Sequence, residues 1–138
     1  MITTKIIQLE TKGHCDIVDI TPEVAAAASS SGITSGTVTV FINGSTAGVT
    51  TIEYEPGLIS DLKEVWQKLV PEGVPYHHDA RWGDGNGYAH IRASLLGASL
   101  LVPFEDKKLS LGTWQQIVVL DFDNRPRSRQ VIIQITGE

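Results

Sequence analysis

"WQQIVVLDFDNRPRSRQVIIQITG", residues 114–137, holds two runs of β-branched and aliphatic residues on either side of a turn, and its reading decides the fold. Valine and isoleucine suit a pleated, half-buried strand, and "DNRPRS" has the Asn, Pro and Ser that reverse a chain. Working outward, "SLLVPF", residues 99–104, reads as a further strand, with turn chemistry in "EDKK" after it. "TVTVFI", residues 37–42, alternates as a strand does, and "VTTIEYE", residues 49–55, follows the turn-rich "NGSTAG", so the two are expected to pair as a hairpin. At the start, residues 5–10 and 16–20 are β-rich, with Lys12-Gly13 supplying a hairpin-like turn.

Two stretches change period. In "TPEVAAAASSSG", residues 21–32, Thr21 suits an N-cap, Pro22 the first helical position and Gly32 the stop. In "PGLISDLKEVWQKLVPEG", residues 56–73, Leu58, Leu62, Val65, Trp66 and Leu69 recur at spacings of three and four, which predicts an amphipathic helix with Trp66 toward the core. "HIRASLLG", residues 90–97, adds a further turn or two closed by Gly97. The order of elements predicts a single α+β domain over residues 1–138, built on largely antiparallel sheet with two main helices packed over it.

Composition narrows the function. The chain has 138 residues, 41% of them hydrophobic, and a net charge of −5, which argues against a protein that coats nucleic acid. Arg125, Arg127 and Arg129 are the local exception, read either as charge for an anionic ligand or as the solvated tip of a hairpin. One cysteine, Cys15, makes no internal disulfide. No apolar run reaches membrane-spanning length, so the expectation is a cytoplasmic protein without a membrane partner.

"HHDARWGDGNGYAH", residues 77–90, gathers three of the four histidines with aspartate and glycine, and is expected as a loop. Its glycines at 83, 85 and 87 permit the chain to double back, so His78 and His90 are expected to converge. Imidazole serves as a metal ligand or as an acid and base near neutral pH. Two histidines do not complete a zinc site, and Asp84, Asp79 or a ligand from another chain has to fill the sphere. "GSTAGVTTIE" offers Ser45 and Thr46 beside small residues to an anionic group, or forms a plain turn. "LGTWQQI" sets Thr113, Trp114 and Gln115 where an aromatic plate holds a ring, or seals a subunit contact.

"WGDGNGYAHIRASLLGASLLVPF" and "LSLGTWQQIVVLDFDNRPRSRQVIIQITG", together with "GSTAGVTTIEYEPG", resemble the YjbQ-like family, also described as the secondary thiamine-phosphate synthase family. The resemblance implies a compact antiparallel sandwich, a homotrimer, a divalent-metal site (zinc or magnesium) and the joining of pyrimidine and thiazole phosphate precursors. Tyr76, His78, Asp84, Asn86, His90, Glu53, Thr113, Trp114 and Gln115 match its motifs. Gly44 and Tyr88 stand where many relatives carry histidine, which leaves fewer imidazoles for a metal. On this reading Glu53, His90, Asp84 and Gln115 are the catalytic candidates. Ser45, Thr46, Asn86, Thr113, Trp114 and Arg127 bind a small phosphorylated metabolite, and His78 and His90 hold the metal. The competing readings are a trimeric metabolite-binding protein without turnover and a metal-dependent hydrolase.

Overall fold

The computed structural model describes residues 1–138. In chain order the elements are β1 (Ile2–Thr11), β2 (Asp16–Asp19), α1 (Thr21–Ser29), β3 (Gly36–Asn43), β4 (Ala47–Ile52) and α2 (Pro56–Leu69), then α3 (His77–Trp82), α4 (Gly87–Leu96), β5 (Ser99–Glu105), β6 (Lys108–Leu109), β7 (Gln116–Asp121) and β8 (Arg127–Gly137). The strands form two antiparallel sheets, one ordered β1-β8-β3-β5-β6 and the other β2-β7-β4. The predicted α+β sandwich is therefore present, with four helices rather than two.

The strand pairings depart from the local ones the sequence suggests. β3 pairs with β5 and β8 while β4 pairs with β7, so the expected hairpin across "NGSTAG" is instead a crossing from one sheet to the other. β1 and β2 part company in the same way, β1 beside β8 and β2 beside β7. β7 and β8 also lie in different sheets, so residues 122–126 form a third crossing and no hairpin tip. All three crossings lie at one end of the sandwich: Thr11 is opposite Arg127, Asn43 opposite Gln130, and Asp16 and Ala47 both opposite Asp121.

Burial follows from this layering. Val38, Val40 and Ile42 of β3 and Val131, Ile133 and Ile135 of β8 point inward and meet Val49, Ile117 and Val119 of the smaller sheet. Helix α1 adds Val24, Ala27 and Ala28 to that core. The other face of β7 puts Val118 and Leu120 against Tyr88, Ala89 and Ala93 of α4, with Ile59, Leu62 and Trp66 of α2 at the margin. β7 is thus covered on both faces, which accounts for its unbroken run of aliphatic residues.

Three helix details correct the sequence reading. Thr21 does not cap α1, since Ile20 takes that position; the Thr21 hydroxyl accepts the Ile117 backbone N–H at 2.8 Å instead. In α2 the apolar stripe is only partly used: Trp66 stands edge-on to Phe122 at 4.9 Å, while Val65 and Leu69 remain exposed. The residues read as a loop, 77–90, are mostly helical, containing all of α3 and the start of α4.

Because Leu120 is 1% exposed between the smaller sheet and the helices, Leu120→Ala should cost about 2–5 kcal/mol, whereas Leu101→Ala on the open face of the larger sheet should change stability by less than about 0.5 kcal/mol. Urea denaturation of both variants checks the contrast.

Candidate functional site

The end of the sandwich where the strands cross carries a buried polar network. Asp121 and Asp123 are both fully buried. Arg129 grips Asp121 with two donors, Nε to Oδ2 at 2.7 Å and Nη2 to Oδ1 at 2.9 Å, and Thr11 donates to the same carboxylate at 2.6 Å. Arg127 places Nε and Nη2 each 2.8 Å from Asp123 Oδ2, where the Thr46 hydroxyl also donates at 2.9 Å. Burial alone raises the Asp123 carboxyl; hydrogen bonds from Thr46, the Asn124 amide, Asn86 and Arg127 outweigh it and hold the group below its ordinary value. Arg127 and Arg129, read as a solvated tip, are instead ion-paired, Arg129 only 7% exposed. Thr46, a candidate ligand residue, is likewise committed to Asp123 and Arg129.

Helices α3 and α4 bring the histidines onto this end. Gly83 and Gly85 have φ of 71° and 70°, the left-handed conformation that glycine adopts without steric cost, and the chain reverses through them. A Cβ on Gly87 would fall 2.9 Å from Tyr76 Cβ, so a hydrogen is what lets the helices approach. His78 and His90 converge as expected, ring centroids 4.5 Å apart. Burial first, and then the neighbouring His78, depress the His90 pKa, while Asp123, Asp84 and the Ser45 backbone act in the other direction. His78 Nδ1 is buried without a hydrogen-bond partner.

The same end of the sandwich holds a cavity of about 210 Å³ lined by Asp84, Asn86, Asn124, Arg125 and Arg127, with no apolar residue; neither histidine lines it, and the His90 backbone N–H donates to the carbonyl of the lining residue Asn86. The Arg127 guanidinium is fixed by Asp123; Arg125 is exposed and meets no carboxylate. Ser45 lines a separate recess of about 240 Å³ with Gly44, Ala47, Ala93, Ser94, Gly97 and Ala98.

Glu53, Thr113 and Trp114 lie elsewhere, around a third cleft of about 400 Å³ shared with Asp19, Tyr54, Glu55 and Gln116. Ile52 pairs with Gln116 and Ala47 with Asp121, so this cleft is at the opposite end of the smaller sheet, with Ile52 roughly 17 Å along β4 from Ala47 at the usual rise per strand residue. Gln115 spends its side chain on Thr51 and on the Gly112 backbone N–H. The expectation that Glu53 and residues 113–115 border the histidines fails within one chain, because antiparallel pairing of β4 with β7 carries them apart. Asp121 and Asp123 went unread as site residues. Their signal is the i, i+2 spacing of two aspartates and of two arginines flanking one turn, which sets each pair on one face.

The donors do not make a metal centre in one chain. No three His, Cys, Asp or Glu residues are placed so that they could hold a metal ion. The carboxylate nearest the pair is that of Asp79, whose Oδ1 is 3.7 Å from His78 Nδ1 and already accepts the Gly87 N–H. A catalytic zinc site takes three protein ligands, and magnesium prefers oxygen, so two imidazoles fit neither ion.

Residues 5–138 match the model of the family described as UPF0047 protein YjbQ-like. A UPF0047 protein of Archaeoglobus fulgidus is 42% identical over 128 residues, 93% of this chain and 97% of that one. The UPF0047 protein YugU of Bacillus subtilis is 37% identical over 134 residues, 96% of this chain and 98% of its own. Among solved structures, the hypothetical protein APE1520 of Aeropyrum pernix superposes with a TM-score of 0.91 at 32% identity, covering 99% of each chain. A conserved protein of the same family from Clostridium acetobutylicum superposes at 0.87 with 35% identity, covering 96% of this chain and 99% of that one. The chain belongs to the YjbQ-like family.

A histidine whose folded pKa is depressed leaves the unfolded state with the greater proton affinity, so stability is full above the unfolded value and falls as pH drops. Thermal melts between pH 7.5 and 5 should therefore show a loss of stability beginning near about 6.5. His90→Gln should flatten that loss.

Proposed function

We propose that this YjbQ-like chain binds a small phosphorylated metabolite at the crossing end of the sandwich, with the phosphate in the cavity of Asn86, Asn124, Arg125 and Arg127 and with His90 as the acid and base beside it. The observation that carries this reading is the cavity itself: two guanidinium groups, two amides and Asp84, no apolar lining, and His90 one helical turn along the chain from the lining residue Asn86. Arg127 is pre-set by Asp123, so it meets an oxyanion without losing further side-chain freedom. His90, with its pKa depressed, is neutral near pH 7 and so is able to take a proton.

A reaction of thiamine-phosphate synthase type is the second reading, and one feature favours it. Such a reaction sets a heteroaromatic ring against a leaving pyrophosphate, and the cleft holding Trp114, Tyr54 and Glu53 has the aromatic plate and the carboxylate. That cleft is remote from the histidines of its own chain, and Trp114 is 74% exposed. The reading therefore requires a homotrimer in which a neighbouring copy brings its Trp114 end to the phosphate cavity. Light scattering gives the assembly, and incubation with mixed pyrimidine and thiazole phosphates, followed by product detection, gives the activity.

Calorimetric titration with inorganic phosphate tests the binding reading. Arg125→Ala should weaken phosphate by about tenfold, the usual worth of a charge-assisted hydrogen bond, and leave the melting temperature unchanged, since the side chain has no protein partner. Unaltered affinity in this variant would overturn the placement.

A further inference from the structure

Two of the residues that line the cavity among the arginines, Asn86 and Asp84, carry side-chain acceptors that receive no hydrogen bond within the chain. Asn86 is 5% exposed and its amide orientation is fixed: Nδ2 is 3.3 Å from Asp123 Oδ1, an atom that only accepts, so the amide oxygen must face away. That oxygen, Oδ1, is buried and has no partner. Asp84, exposed, lines the same cavity, and its backbone carbonyl accepts from Asn124 Nδ2 at 2.8 Å, which positions the residue. A carboxylate in a pocket for anions is a like-charge contact unless a proton lies between the two oxygens. With that proton, the contact becomes a short, charge-assisted O–H···O hydrogen bond.

We infer that the cavity reads the proton of its ligand, taking an oxyanion that carries a hydroxyl, as a protonated phosphate does, in preference to one fully deprotonated, such as sulfate. Arg125 and Arg127 supply the donors for the unprotonated oxygens. Asn86 Oδ1 and the Asp84 carboxylate accept from the P–OH group. A phosphate monoester accordingly enters as its monoanion. Asn86 and Asp84 are specificity-determining residues, distinct from the arginines that provide affinity. The inference rests on the phosphate-binding reading of this cavity.

Inorganic phosphate and sulfate, titrated by calorimetry into the full chain at pH 7 and matched ionic strength, test it, since phosphate carries at least one proton at that pH and sulfate carries none. Phosphate should bind at least about tenfold more tightly, the worth of one hydrogen bond to a charged acceptor. Asp84→Asn should narrow the ratio by strengthening sulfate, because the amide both removes the repulsion and offers a donor. Asn86→Ala should narrow it by weakening phosphate, with melting curves recorded alongside. Should Asn86→Ala fail to fold, the exposed Asp84→Asn variant decides alone. Equal binding of the two ions, or a preference unchanged in Asp84→Asn, would overturn the inference while leaving the phosphate site in place. Absence of binding by either ion would overturn both.

Discussion

Two buried aspartates and the arginines that neutralise them hold the crossing end of the sandwich together. Asp121 ends β7 and Asp123 follows it, while Arg127 and Arg129 begin β8, so the pairs close the step by which the chain leaves one sheet for the other. Thr11 and Thr46 come from the other two crossings and donate into the same carboxylates. One network thus pins three sheet-to-sheet passages. A carboxylate removed from water is stabilised only when its lone pairs are all engaged, so loss of any one partner leaves a buried charge uncompensated. The arrangement fixes the position of the strands more than it adds net stability.

The candidate site is an outgrowth of that network. Asp123 faces inward to Thr46 and outward to Arg127 and Asn86, and both of these line the polar cavity. The same carboxylate acts electrostatically on His90, which α4 sets beside His78. A group that is structural on one side therefore also fixes the lining of the cavity on the other. Cavity and architecture share atoms here, which explains why so few of the polar residues at this end are free.

Much of this was legible in the sequence, and the misses have physical causes. Most strands were readable because they carry β-branched residues, in alternation in β3 and as an unbroken aliphatic run in β7, whereas the two-residue β6 has no such signal. Their partners were not, because β1 with β8 and β2 with β7 are pairings of distant segments, whereas sequence patterns favour the neighbour across the nearest turn. The convergence of His78 and His90 could be anticipated from the glycines that permit the reversal. Helix in residues 77–96 was under-read because aspartate and glycine at 83–86 mask two short helices that tertiary packing stabilises. Trp114 and Glu53 join the histidines only through the family resemblance, and the antiparallel register of β4 and β7 reveals their separation. No helix is long and apolar enough to cross a membrane, in keeping with the absence of a long apolar run.

The position of β8 bears on how the molecule is made. This last strand of the chain lies between β1 and β3, pairing with Ile2 through Thr136 at one edge and with β3 along the other. While the chain is still emerging from the ribosome, the larger sheet is split in two, and β1 and β3 each wait with an open edge. Such edges are templates for pairing with foreign strands. The closing contact spans almost the whole sequence, a topology that folds slowly and exposes intermediates to aggregation. Chains stalled before residue 127 are thus the form in which β1 and β3 both lack the strand that joins them.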